Sequence, residues 1–170
     1  MEGYMVKIRK ANKTDGLGIA IVNVYTWKTT YSDLIPSEII DGRIESLIDM
    51  TARIEREIED TNNYIIAAVN DTIVGFCTYG KSRDDSFLDY GEIYAIYVLK
   101  GFQGLGLGKK LFLSAAKELK EEGYSSVIIN CLKGNPSVEF YKRLGGKVVG
   151  EREDEYKGSM ITEEIIGIKI

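Results

Sequence analysis

The residues best placed to do chemistry lie in one stretch, Ile96-Tyr97-Val98-Leu99-Lys100-Gly101-Phe102-Gln103-Gly104-Leu105-Gly106-Leu107-Gly108-Lys109-Lys110. An apolar, β-like run passes there through a glycine-dense loop into a helical pattern. A helix start leaves backbone N–H groups without internal partners and carries partial positive charge, so a loop whose glycines let the backbone come close can cradle a phosphate. Gly104, Gly106 and Gly108 supply that approach. The spacing then discriminates among phosphate loops. A P-loop needs a glycine five positions before Gly108 and a Ser or Thr after Lys109, where the chain has Gln103 and Lys110. A dinucleotide fingerprint beginning at Gly104-x-Gly106 needs its third glycine where Lys109 stands. What remains is Gln-x-x-Gly-x-Gly at Gln103, Gly106 and Gly108. Taken alone it also reads as a glycine-rich turn with no ligand.

The rest of the composition narrows the chemistry. The chain has no histidine, which removes Ser-His-Asp and Cys-His catalysis and takes away the commonest ligand of a zinc or iron site, so no metal is expected. Cys77 and Cys131 each fall in a strand-like apolar run and read as core residues rather than as a disulfide or a nucleophile. A net charge of −4 argues against a general nucleic-acid binder and tolerates a cationic or amine partner. At 170 residues, 44% hydrophobic and 28% charged, the chain fits one domain, 1–170, with a real core. No run approaches the roughly 20 apolar residues of a membrane span and no signal-peptide core follows the N-terminus, so no membrane partner and a cytoplasmic location are expected.

The elements around the loop follow from periodicity. Val6 to Lys10 alternates as a first strand, and Thr14-Asp15 starts a helix with Leu17, Ala20, Ile21, Val24 and Tyr25 as its stripe. Apolar periodicity is lost at Trp27 to Tyr31. Pro36-Ser37 opens a second helix with Ile40, Ile44, Leu47 and Ile48 inward, and a short third, Thr51 to about Glu59, turns Ile54 and Ile58 inward. Tyr64 to Val69 and Thr72 to Tyr79 predict a hairpin about Asn70-Asp71. A polar loop, Gly80 to Leu88, precedes the strand Glu92 to Val98 that enters the glycine loop. Beyond the loop, Leu107, Leu111, Ala115 and Leu119 predict a helix ended by Gly123, and Val127 to Cys131 a buried parallel strand. Asn135-Pro136 caps and starts a short helix that Gly145-Gly146 stops. Lys147 to Glu151 and Met160 to Ile168 close the sheet around a charged loop.

The loop, Asn135 and Phe140-Tyr141-Lys142-Arg143-Leu144-Gly145 occur in the order and spacing of the GNAT superfamily of N-acetyltransferases, which residues 60–150 of the chain resemble. That family often has Phe after the signature glycine; here it is Gly146, which puts the packing of that helix end in question. The resemblance implies an α/β fold of the α+β type, with a mixed, mostly antiparallel sheet of six to seven strands and about four to five flanking helices. It implies acetyl-CoA as co-substrate, its diphosphate held by Gln103, Gly104, Leu105, Gly106, Leu107, Gly108 and Lys109. Lys109 or Arg143 would meet a phosphate charge, and Ile96, Tyr97 and Val98 with Asn135 would hold the pantetheine and acetyl group. It implies an acyltransferase that moves acetyl to a primary amine of a small molecule or peptide by direct attack in a ternary complex.

Removing the proton of a lysine-like amine, pKa near 10.4, in a medium near 7 costs about 4–5 kcal/mol, so a base or water relay is worth building. By resemblance that base is Glu92 or water; the plainer reading of Glu92 is a solvated strand-edge glutamate. Tyr141 matches the family's general acid for the leaving thiolate, against a half-buried aromatic on an amphipathic helix. Trp27 to Pro36 resembles the family's substrate-side connection, naming Trp27 and Tyr31, with Glu92, as acceptor-binding residues; aromatic packing under a helix joint is the other reading. The Glu153 to Ser159 loop would shape the same pocket. A non-catalytic acyl-CoA sensor stays open beside the enzyme. The apolar run Ile161 to Ile170 is compatible with a homodimer.

Overall fold

A computed structural model describes residues 3–156 and 158–170. Its strands are β1 (Val6–Lys10), β2 (Tyr64–Val69), β3 (Thr72–Lys81), β4 (Gly91–Val98), β5 (Ser126–Leu132), β6 (Lys147–Tyr156) and β7 (Ser159–Lys169). The helices are α1 (Gly16–Thr30), α2 (Ser37–Glu45), α3 (Leu47–Asp60), α4 (Leu107–Glu121) and α5 (Ser137–Arg143). The sheet runs β1-β2-β3-β4-β5-β7-β6. Its β4–β5 pair is parallel, while β1–β2, β2–β3, β5–β7 and β6–β7 are antiparallel. This is the mixed, mostly antiparallel α/β fold. Among the described residues no helix is long and apolar enough to cross a membrane.

The chain divides into two compact units. The first takes Met1–Thr78 and Ala95–Ala115. Its hairpin turns on Asn70 and Asp71, both at positive φ (48° and 65°), the conformation those residue types tolerate in a tight turn. Ile66, Ala68 and Phe76 pack with Ile19, Ala20 and Val22 of α1 and Met50, Ile54 and Ile58 of α3 into one core. At its start Arg9 forks onto Asp15, Nη1 to Oδ2 at 2.7 Å and Nη2 to Oδ1 at 2.9 Å, and the Asn12 N–H donates to the same carboxylate at 2.8 Å.

Two helical expectations are corrected here. Of the stripe Leu17, Ala20, Ile21, Val24 and Tyr25, only Ala20 and Val24 are buried, with Ile19 and Val22 beside them; Leu17, Ile21 and Tyr25 face outward. Leu17 to Val22 is apolar almost without interruption, so periodicity alone cannot select its inner face. The loss of periodicity at Trp27 does not end the helix, which runs on to Thr30. The second helix breaks at Ser46, whose Oγ donates to the Gly42 carbonyl at 2.7 Å, and α3 already begins at Leu47. Ile44 and Ile48 are exposed in consequence.

The second unit takes Tyr79–Tyr94 and Ala116–Ile170. Gly91, Glu92 and Ile93 pair in parallel with Val127, Ile128 and Ile129, and a side chain at Gly91 would press on Leu119 at 3.0 Å. Val127, Ile129, Ile166 and Ile168 are buried with Val138 and Tyr141 of α5. Both cysteines are free and buried, and burial pushes the Cys131 thiol up to about 12, with Glu163 and Glu164 adding to the shift. The expected charged loop between the last strands is instead strand: β6 continues through Glu153, Asp154 and Glu155 to Tyr156, paired with Ser159 through Thr162. A two-stranded ribbon with charges on both faces carries no apolar alternation, and cross-strand ion pairs such as Arg152 Nε to Glu163 Oε2, 2.8 Å, support it instead. Gly146 also finds its reason. A β-carbon there would lie 2.7 Å from Ile166 Cγ2 and 2.7 Å from the Tyr141 carbonyl, so β7 isoleucines fill the space a larger side chain would need.

Candidate active site

In the first unit, the chain leaves β4 through a 3₁₀ turn at Lys100–Phe102 and enters α4 through Gln103 to Gly106. Gly104 and Gly106 have φ of +78° and +75°, where a β-carbon is strained, and one added at either would meet no atom of the described residues within 4 Å. The loop's outer surface is therefore open backbone. Lys110 N–H donates to the Gly106 carbonyl at 3.1 Å, so the N–H groups of Leu107, Gly108 and Lys109 precede it and have no acceptor inside the helix. Leu107 is buried and anchors the turn, while Gln103, Leu105 and Lys109 are exposed. The Gln103 side chain has a structural task, its Nε2 donating to the Val98 carbonyl at 3.0 Å.

The strand end has a defined polarity. Leu99 N–H donates to the Val74 carbonyl at 2.8 Å. Main-chain groups alternate along a strand, so those of Ile96 and Val98 point to the edge of β4 turned away from β3. Tyr97 instead joins an aromatic cluster with Trp27 and Tyr31, two of the three expected acceptor-binding residues. Trp27 Nε1 donates to its hydroxyl at 3.2 Å, and Tyr31 meets Trp27 and Tyr97 edge-on at 4.8 and 6.5 Å. The Arg43 guanidinium lies over the Trp27 ring, 3.4 Å from its centroid, with Nη1 on Asn23 Oδ1 at 2.9 Å.

In the second unit, Glu92 is 1% exposed and stands on an interior strand, which overturns the solvated-edge reading. Its carboxylate accepts from the Arg83 main-chain N–H (2.8 Å), Nε (3.2 Å) and Nη2 (2.6 Å). The Arg83 side chain is 62% exposed and lies over Tyr94 at 4.2 Å, and Tyr94 Oη donates to the Lys81 carbonyl at 2.7 Å. Burial works to lower the Arg83 pKa, and the hydrogen bond and charge of Glu92 outweigh it, so the guanidinium is held more firmly charged. Tyr141 is 4% exposed, deeper than a half-buried aromatic, with Phe140 edge-on at 5.0 Å. Asn135 is buried, and its Oδ1 accepts from Ser137 N–H at 2.9 Å, the capping bond its sequence position predicts. Arg143, on the same helix, is exposed.

Residues 27–146 match the family model described as the acetyltransferase (GNAT) family. The chain belongs to that family. Its class of chemistry is acyl transfer. As a GNAT protein it is 29% identical over 163 residues to the uncharacterized N-acetyltransferase YuaI of Bacillus subtilis, across 96% of this chain and 92% of the relative. A mycothiol acetyltransferase of Pseudarthrobacter chlorophenolicus is 34% identical over 100 residues, 57% of this chain and 31% of its own length. Among solved structures, the PaiA N-acetyltransferase of Thermoplasma acidophilum, in complex with coenzyme A, superposes with a TM-score of 0.76 at 22% identity, over 98% and 99% of the two chains.

Sequence reasoning missed Arg83, Arg43 and Asn23 of this GNAT protein. No local pattern points to them. Arg83 lies nine residues before Glu92 in a polar loop, and Arg43 reads as an ordinary helix-surface cation until the fold lays it on Trp27.

Proposed function

We propose that this protein transfers the acetyl group of acetyl-CoA to a primary amine of a small molecule or peptide, by direct attack in a ternary complex. The observation that carries the reading is the open-faced turn at Gly104 and Gly106, which leads into the N–H groups of Leu107, Gly108 and Lys109 that have no acceptor inside the helix. Such a turn suits a diphosphate because the donors are main-chain, fixed and aligned with the dipole of a 15-residue helix. Lys109 and Arg143, both exposed, add positive charge. The outward edge of β4 at Ile96 and Val98 supplies main-chain groups for the pantetheine arm, and Asn135 assists after capping α5. With its own carbonyl bound to Gln103, Val98 contributes chiefly its N–H, a donor for the thioester oxygen as it gains charge.

Two proton transfers remain. Tyr141 gives its phenolic proton to the departing thiolate, whose conjugate acid near 8.5 lies close enough to a tyrosine near 10 for transfer at small cost. For the base, the Arg83 fork on Glu92 favours water over the carboxylate itself. Both carboxylate oxygens are already engaged, Oε1 by two Arg83 guanidinium N–H groups and Oε2 by the Arg83 main-chain N–H, which leaves few lone pairs to turn toward an incoming amine. Glu92 then fixes the 82–90 loop against β4, and Trp27 and Tyr31 present an aromatic wall to the acceptor. A thiol-release assay with acetyl-CoA and a panel of amines tests the reading. Release with at least one amine is expected; acetyl-CoA binding without release from any would turn the reading to a non-catalytic sensor.

A further inference from the structure

β5 carries one side-chain oxygen that its packing does not explain. Strand residues alternate, so Val127, Ile129 and Cys131 face one side of the sheet and Ile128, Asn130 and Leu132 the other. Asn130 is half-buried, and its Oδ1 has almost no accessible surface and no hydrogen-bond partner among the described residues. A buried carbonyl without a donor costs stability, and an apolar residue would remove that cost. An acceptor left open on that side chain suits a donor that arrives with a ligand.

The neighbours indicate which donor. Glu92 is the register partner of Ile128, so Glu92 and Asn130 share a face, with Asn130 one pleat further along. On the other edge Asn130 opposes Ile165 and Leu132 opposes Glu163, so Glu163 is a diagonal neighbour on that face, about 7–8 Å away between Cα atoms. Asn130 thus stands in a row between two carboxylates, each already met by an arginine: Glu92 by Arg83 and Glu163 by Arg152. The charge of Glu163 also bears on Arg83, which places the two ion pairs in one neighbourhood. The row is rich in oxygen acceptors whose charge is internally balanced.

The geometry points to Asn130 as a binding residue for the acceptor: its Oδ1 takes a hydrogen bond from the N–H of the primary amine that becomes acetylated. This rests on the amine-acetyltransferase reading above. A neutral amide oxygen suits the task because it accepts from the nitrogen both before and after that nitrogen loses its proton. A free carboxylate in its place would hold the ammonium form and resist deprotonation.

Asn130→Leu keeps the side chain's size and removes the oxygen; Asn130→Asp keeps an oxygen and adds charge. In Asn130→Leu the KM for the amine should rise by about 10- to 100-fold, the loss of one hydrogen bond to a charged or polar nitrogen. Coenzyme A affinity by calorimetry should stay at the parental value, and Tm should hold or rise because an unpartnered carbonyl has gone. Asn130→Asp should keep the amine KM near the parental value or lower it, with its kcat–pH profile displaced to higher pH. A parental amine KM in Asn130→Leu overturns the proposal, as does a fall in its Tm, which would make the oxygen structural. Turnover by the parental protein with unchanged KM in Asn130→Leu sinks this proposal alone; no release of coenzyme A by the parental protein with any amine sinks the acetyltransferase reading and this proposal together.

Discussion

The glycine loop before α4 and the polar cluster around Glu92 are built on opposite plans. The loop presents main-chain N–H groups, and its shape is dictated by residues consecutive in sequence, two of them at positive φ. The Glu92 cluster works through side chains brought together from the β3–β4 loop and an interior strand, and in it three Arg83 donors converge on one buried carboxylate. A backbone site is a local property, and a side-chain site is a property of the fold. The loop should therefore fail through one residue's conformation and leave stability intact, whereas the Glu92 cluster should fail as a unit and register in stability as much as in rate.

The largest effect expected is on the backbone side. Gly106→Val forces a β-branched residue to φ near +75° and puts atoms on the loop's open face. Coenzyme A affinity should fall by about 10²–10³-fold, the equivalent of one or two charge-assisted hydrogen bonds, with the circular dichroism spectrum unchanged. Parental affinity in calorimetric titration of a folded Gly106→Val protein would remove the diphosphate from this loop. Next in size is Tyr141→Phe, which keeps the buried ring and removes the proton donor. Its kcat and kcat/KM should fall together by about 10²-fold with coenzyme A binding intact. Near-normal turnover with a loss of about 1–3 kcal/mol in stability would make the hydroxyl a packing group.

The Glu92 cluster should respond differently. Arg83→Gln leaves a carboxylate buried with fewer donors and should lower unfolding free energy by about 1–3 kcal/mol in urea titration. Glu92→Gln should reduce kcat by less than about tenfold and keep the shape of the pH–rate profile, as the water route requires; a loss of about 10²–10⁴-fold that recovers at high pH would restore the carboxylate as base. The smallest effect concerns the Arg9–Asp15 lock, a side-chain pair far simpler than the Glu92 cluster. Burial alone would raise the Asp15 pKa, yet the Arg9 fork and the Asn12 N–H outweigh it and hold the carboxyl below its ordinary value. A carboxyl depressed in the folded state adds stability above its unfolded pKa near 4 and loses it as pH falls through the folded value. Asp15→Asn should accordingly melt below the parent at pH 7, by about 1 kcal/mol, with the gap closing below about pH 4. A gap that persists at pH 2 would trace the effect to packing instead of charge.

Much of this protein was settled by its sequence, and for a common reason. The hairpin at Asn70-Asp71, the buried stripe Leu107, Leu111, Ala115 and Leu119, the Asn135 cap and the open glycine turn all depend on residues within a turn or two of one another. Propensity, period and φ act over that range. Where local signals were weak or equal, tertiary packing decided. It chose Ile19 and Val22 over Leu17 and Ile21 as the inner face of α1, and carried β6 through a charged segment that only cross-strand partners make a strand. It also decided what Glu92 is. The sequence places that residue on the strand entering the loop, and nothing within reach of it along the chain announces Arg83. A buried charge must find its counter-charge through space, and only the folded chain brings the two within 2.6 Å.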